Sequence, residues 1–209
     1  MKSSVSSNTL NNIKHDANYI ESYDKSVKFF LTNYSNKSLT LFYNEKFKNG
    51  EFSNFHICRE KIKYPIYTDY SGFPKEVYCY HSEKAIMLQK AAIMGDIIIF
   101  TQILNTYSPM ECKKLGRQVS NFNPDLWNYY LPYIAFNILK NKFKHPYYKN
   151  KLLETDVSMI VEAAGEKDKT WGCGFDITNK RIYNPHLWTG RNILGFTLML
   201  VREYIRETQ

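Results

Sequence analysis

Apolar and polar residues are spread unevenly along this chain. Residues 1–38 are rich in Ser, Asn and Lys and have little apolar periodicity. They read as a polar N-terminal tail or extension, with at most one short helix near "HDANYIESYDKSVKFFL". "LTLFYN" (Leu39 to Asn44) alternates as a strand does. "GEFSNF" (Gly50 to Phe55) follows as a turn, and "HICREKIKYPIYTDYSGFPKEVYCYH" reads as short strands and loops punctuated by prolines and Gly72. From Ser82 the spacing turns helical. Ser82 is placed to cap "EKAIMLQKAAIM", and "DIIIFTQILNTY" is a second helix. "SPMECKKLG" has Ser108 as N-cap, Pro109 at the first helical position, Glu111 at the capping-box position and Gly116 where the helix should end. "NPDLWNYYLPYIAFNILKNKFK" starts the same way, carries Pro132 as an expected kink, and sets Trp127, Leu131, Ile134 and Ile138 on one apolar stripe.

"PYYKNKLLET" is a short helix, "SMIVEAA" a buried strand, and "WGCGFD" a turn in which Gly172 and Gly174 permit positive φ. "RNILGFTLMLVREYIRE" is a final amphipathic helix with Leu194, Leu198, Val201 and Ile205 on its buried side. There is no internal repeat. The expected architecture is α+β: one compact, predominantly helical domain over residues 39–209 with a small β-sheet, preceded by the tail.

Composition narrows the class without choosing a function. Hydrophobic residues at 44% and charged residues at 23% fit an ordinary globular protein. The net charge of +8 favours anionic partners, but no run of five or more Lys/Arg defines a nucleic-acid patch. Cys58, Cys79, Cys112 and Cys173 form no CxxC pair, and His15, His56, His81, His145 and His186 show no metal-ligand spacing. No metal or organic cofactor is expected. The N-terminus lacks the apolar core of a signal peptide, and no apolar run is long enough for a bilayer. A reduced, cytoplasmic protein is expected, with a nuclear location left open.

Two stretches carry candidate chemistry. "GEFSNF" sets Glu51, Ser53 and Asn54 between Phe52 and Phe55, just after Gly50. It suits a ligand-holding loop, and equally an ordinary turn in which Asn54 bonds its own backbone. The second is Glu83 and Lys90 on one helix. Seven residues apart, they lie within about 20° of the same face and roughly 10 Å apart along the axis. A carboxylate in the first turn is favoured in its ionised form, and a buried lysine loses basicity and becomes a usable nucleophile. Two exposed charges fit the same spacing, and composition alone favours the plain readings.

Seven segments in order change that balance: "GEFSNF", "HSEKAIMLQKA", "LGR" (Leu115 to Arg117), "LKNKF" (Leu139 to Phe143), "LLETDVSMIVEAA", "TWGCG" and "GRNILGFTLMLVRE". Together they resemble the NADAR (YbiA-like) family over about residues 40–206. The resemblance implies an N-glycosidase with a mainly helical α+β fold and no cofactor. Its substrates would be ribosylaminopyrimidine phosphates of riboflavin synthesis or ADP-ribose on guanine in DNA. It also implies site residues. Glu83 would be the acid/base carboxylate, Lys90 the nucleophile or an anchor, and Glu51 the second acid. Gly50, Ser53, Asn54 and Phe55 would hold substrate, with Trp171 over a base or sugar face, Gly172 allowing close backbone approach, and Asn192 at a helix start that holds phosphate.

The chain departs from the family pattern on the Glu83 helix. Lys84 and Ala85 stand where His and an aromatic are usual, and Met87 where Gln is common. The loop from Tyr64 to Tyr80 is also longer than usual. These changes raise the rival expectation of a non-catalytic ADP-ribose or nucleotide binder. A general nucleic-acid-binding protein is a weaker third.

Overall fold

The structure, a computed structural model, describes residues 7–34 and 38–208. In chain order its elements are α1 (Ser7–Asp16), α2 (Tyr23–Tyr34), β1 (Leu39–Phe42), β2 (Ile62–Pro65), β3 (Glu76–Cys79), α3 (Ser82–Ile93), α4 (Ile97–Leu104), α5 (Pro109–Gly116), α6 (Pro124–Lys142), α7 (Pro146–Leu153), β4 (Met159–Glu162) and α8 (Ile193–Glu207). The class is α+β and mainly helical, as expected. The expected small sheet is instead two separate two-stranded sheets among the described residues. The chain falls into two compact units, Met1–Asn18 with Ile57–Asn141, and Tyr19–His56 with Lys142–Gln209.

In the first unit, β2 and β3 form an antiparallel pair that sets Tyr64 opposite Val77, both buried. The chain then enters α3, whose residues are nearly all buried because α4 and α5 pack against it. Gly116 permits that approach: a Cβ there would lie 2.0 Å from the Met87 sulfur. Gly116 is therefore a packing residue at the last position of α5, and Arg117 takes the C-cap. Ser108 does cap α5, accepting from the Glu111 N–H. At α3 the cap is His81; Ser82 is the first helical residue.

The expected polar tail is also corrected. Residues 7–18 hold α1, with Ile13 and Ala17 fully buried. Asn137 donates to the Ile13 carbonyl at 3.0 Å, and the Tyr67 hydroxyl donates to the Asp16 carboxylate at 2.6 Å.

In the second unit, β1 and β4 pair in parallel, from Leu39 opposite Met159 to Phe42 opposite Glu162. α8 covers β4, and Gly195 lets it come close, since a Cβ there would stand 2.2 Å from the Ile160 carbonyl. α8 is buried well beyond its predicted stripe: Ile193, Phe196 and Met199 are inside too. α2 adds Phe30, stacked on Phe196 with ring centroids 6.3 Å apart. Arg202, fully buried, donates to the Thr155 hydroxyl at 2.8 Å and the Ser158 carbonyl at 2.9 Å, fixing the turn that leads into β4.

Candidate active site

The Gly50–Phe55 segment is a built loop. Asn49 adopts a left-handed φ of 62° while its amide donates to the Leu41 carbonyl at 2.9 Å. Gly50 then begins a 3-10 turn ending at Phe52, pressed so close to the preceding chain that a Cβ would sit 2.5 Å from the Glu45 carbonyl oxygen. Any side chain at position 50 would displace the loop. Phe52 turns inward against Phe42 and Phe143, so it is a core residue that anchors the loop.

Underneath lies a feature the sequence reading did not single out. Lys142 is fully buried, and its ammonium donates to the Glu51 carbonyl at 2.6 Å and the Ser53 carbonyl at 3.0 Å. The signal was present: the stripe ending at Ile138 reaches position 142 at its next step, so a lysine stands where an apolar residue is due. Buried carbonyls need donors, and one cation here serves two of them.

With the backbone clamped, the side chains divide. The Ser53 hydroxyl accepts from the Phe55 N–H at 3.1 Å. Asn54 is only 5% exposed, and its amide oxygen has no hydrogen-bond partner among the described residues. Such an acceptor is costly unless a ligand or solvent donor meets it, which sets it apart from an ordinary turn residue. Glu51 remains partly exposed and accepts from the Tyr147 hydroxyl at 2.7 Å. Burial pushes its pKa up, but its own backbone N–H, the Tyr147 hydroxyl and nearby His56 and Lys151 outweigh that and hold it below the usual range. Beside it, burial and the charge of Lys142 lower the pKa of His56 to about 4, so its imidazole is neutral at pH 7. His56 Nε2 lies 3.2 Å from the Tyr148 hydroxyl.

In the first unit, Glu83 occupies the first turn of α3 and is 1% exposed. Its neighbours fix that turn. His81 Nδ1 accepts from the Lys84 N–H at 3.1 Å, so Nε2 carries the proton and donates to the Tyr107 carbonyl at 3.0 Å. The Lys84 ammonium donates to the Leu104 and Thr106 carbonyls, each at 2.8 Å. The departures from the family pattern thus have packing roles: Lys84 ties α3 to the end of α4, Ala85 is buried, and Met87 meets Gly116. The Ser82 hydroxyl, beside Glu83, is buried and has no hydrogen-bond partner among the described residues.

Lys90 is half-buried, not exposed. It donates to the Gly116 carbonyl at 2.7 Å and sits 3.9 Å from the Phe122 ring centroid. Burial, then the positive charge of Arg117, lowers its pKa. The ring face opposes this by favouring the ammonium.

Three further residues lie in the second unit. Trp171 is buried, and its backbone N–H donates to the Asp168 carboxylate at 3.0 Å. Gly172 has no positive φ, unlike Gly174 at +84°; it is required because a Cβ would come within 2.9 Å of the Glu162 carbonyl. Asn192 is at the start of α8, but its buried side chain accepts from the Glu162 N–H and donates to the Ile160 carbonyl, both at 3.0 Å. The N–H groups of Asn192, Ile193 and Leu194 bond the carbonyls of Gly172, Thr170 and Trp171. The expected phosphate cradle is therefore corrected: these donors brace the 170–172 turn. Sequence reading also missed Glu162, a buried acid at the end of an otherwise apolar strand. Among the described residues, no group of three or more His, Cys, Asp and Glu side chains is placed to hold a metal.

The second unit holds a clamped acidic loop, and the first a buried carboxylate and a lysine of lowered basicity on one helix; each group is of a type that hydrolytic enzymes use. The comparisons agree with that class. Residues 41–206 match the NADAR domain model, and the chain belongs to the NADAR family. It is 36% identical over 123 residues to N-glycosidase R617 of Acanthamoeba polyphaga mimivirus, covering 58% of this chain and 72% of that protein. It is 33% identical over 130 residues to Protein irg-1 of Caenorhabditis elegans, spanning 61% of each. Among solved structures it resembles the E. coli protein YbiA, with a TM-score of 0.60 and 26% identity over 81% of this chain and 86% of that one.

Proposed function

We propose that the bond cleaved by this N-glycosidase is the C1–N bond of a phosphorylated N-riboside, held by residues of the 39–209 region. The observation that carries the reading is the pairing of residue types within the family's own motifs: an ionised Glu51 on a clamped loop beside the unsatisfied Asn54 oxygen, and a buried Glu83 in the first turn of α3. Cleavage passes through positive charge at C1. A carboxylate stabilises that charge, and a second acid/base group delivers a proton to the leaving nitrogen or takes one from water.

We assign Glu83 to proton transfer and Glu51 to stabilising charge. Gly50, Ser53, Asn54 and Phe55 form the substrate loop, Trp171 and Gly172 a wall, and Asn192 the brace behind them. Lys90 is the candidate nucleophile. Once the ribose ring opens to a C1 imine, its neutral amine adds to C1 and the base departs with a proton. Water then hydrolyses the resulting lysine imine, returning the free amine and the sugar aldehyde. The net reaction consumes one water.

Of the two substrate classes, ADP-ribosylguanine in DNA is favoured over ribosylaminopyrimidine phosphates, because the +8 chain suits a polyanionic substrate. The test is a product assay. The protein is offered a DNA oligonucleotide carrying ADP-ribose on guanine and, separately, a ribosylaminopyrimidine phosphate. Release of ADP-ribose from DNA confirms the preferred substrate. Release of base only from the pyrimidine moves the assignment to the second, and no release from either contradicts the proposal.

A further inference from the structure

Beside the α3 start, and wholly within the first unit, lies a cavity of about 540 Å³, a size that suits a nucleotide-sized ligand. Lys61, Tyr78, Tyr80, Lys84, Asn105 and Tyr107 line it, and no lining residue is a carboxylate. Tyr107 is 62% exposed and Tyr78 54%, an unusual display of aromatic surface in one place. The rings of Tyr80 and Tyr107 are 5.7 Å apart at 58°, and the Lys61 ammonium lies 5.5 Å from the Tyr80 ring centroid. The platform is rigid from below. His81 holds the Tyr107 carbonyl, and Lys84 holds those of Leu104 and Thr106. Glu76, which accepts from the Tyr78 hydroxyl at 2.9 Å, is paired with Lys63 at 3.1 Å. Aromatic rings fixed beside cations are the elements of base stacking combined with backbone neutralisation.

We infer that this cavity is a binding site for a nucleobase and its attached phosphate, with the base on Tyr107 and Tyr80 and the phosphate at Lys61. The inference does not depend on the bond-cleaving roles assigned above. The ligand is either a free nucleotide or one unit of a single strand, and the test distinguishes these.

The experiment measures binding of a fluorescent, unmodified oligothymidylate and of thymidine monophosphate by the full chain at several salt concentrations. The expected result is oligonucleotide binding that weakens about tenfold in Tyr107→Ala. Tyr107→Phe, which keeps the ring, should match wild type. Lys61→Ala should weaken binding a few-fold and reduce the salt slope by about one. Tighter binding of the strand than of the mononucleotide assigns a strand, and equal affinity assigns a free nucleotide. Tyr183→Ala, which removes another exposed tyrosine in the second unit, is the control and should change nothing. No binding of either probe, or binding that Tyr107→Ala and Lys61→Ala leave unchanged, overturns the inference. Glu83→Gln separates the two readings: it should bind the strand as wild type does whether or not base release is lost.

Discussion

Lys90 and Lys142 both lie on helices of this chain, and both leave bulk solvent, yet their surroundings differ. Lys142 is completely buried and its ammonium bonds two carbonyls of the Glu51 loop. An ammonium that holds two buried carbonyls serves as a clamp. Lys90 in the first unit has one carbonyl, two ring faces and a neighbouring Arg117, and its pKa falls. The lowering at Lys90 has two causes, burial and the like charge of Arg117. The two acids differ in the same way. Glu51 is kept ionised by donors on the partly exposed loop, whereas Glu83 is sealed into a helix start.

The sharpest break of the comparison exchanges the readouts. Lys90→Met should lower turnover by about a hundredfold or more while stability changes by only about 1 kcal/mol. Borohydride added during wild-type turnover should leave a sugar adduct on Lys90; product without adduct removes the covalent route. Lys142→Met should do the reverse in a melting experiment. It strands two carbonyls at a cost of about 3 kcal/mol, or roughly 6–12 °C in Tm. If Lys142→Met melts like wild type, the clamp is misread.

A smaller effect concerns pH. His56 has a folded pKa near 4, below its ordinary value of 6.5. Between those values the unfolded chain binds the extra proton, so stability is present above pH 6.5 and is lost as pH falls toward 4. Thermal melts across that window should show this slope, and His56→Gln should flatten it. Glu51, also lowered, adds a loss in the same direction at lower pH. The smallest effect is on the acid limb of activity. Tyr147→Phe removes one donor that keeps Glu51 ionised, so the limb of the pH–rate profile should move to higher pH, with a rate loss of only a few-fold at neutral pH.

Much of the fold was legible because local signals agreed with tertiary demand. The Ser108–Pro109–Glu111 start produced α5, and the apolar runs of "LTLFYN" and "SMIVEAA" produced the two paired strands β1 and β4. The misses have definite causes. α1 carries few apolar residues, but Ile13 and Ala17 find a surface only three-dimensional packing supplies. His81 displaced Ser82 as cap because an imidazole can accept from the helix while donating to Tyr107, which no propensity reports. Gly116, Gly172 and Gly195 are set by close approach to other segments, not by their own φ. Around the proposed site, the Lys142 clamp was visible only as a cation at a core position. The bracing role of Asn192 depends on a strand 30 residues away in sequence.

The most direct test of the central claim is single-turnover base release by wild type and Glu83→Gln on an oligonucleotide carrying ADP-ribose on guanine, with substrate affinity measured in parallel. The account predicts release by wild type and a loss of about a hundredfold or more in Glu83→Gln, with affinity retained. Equal release by both proteins would contradict it and remove Glu83 from the chemistry.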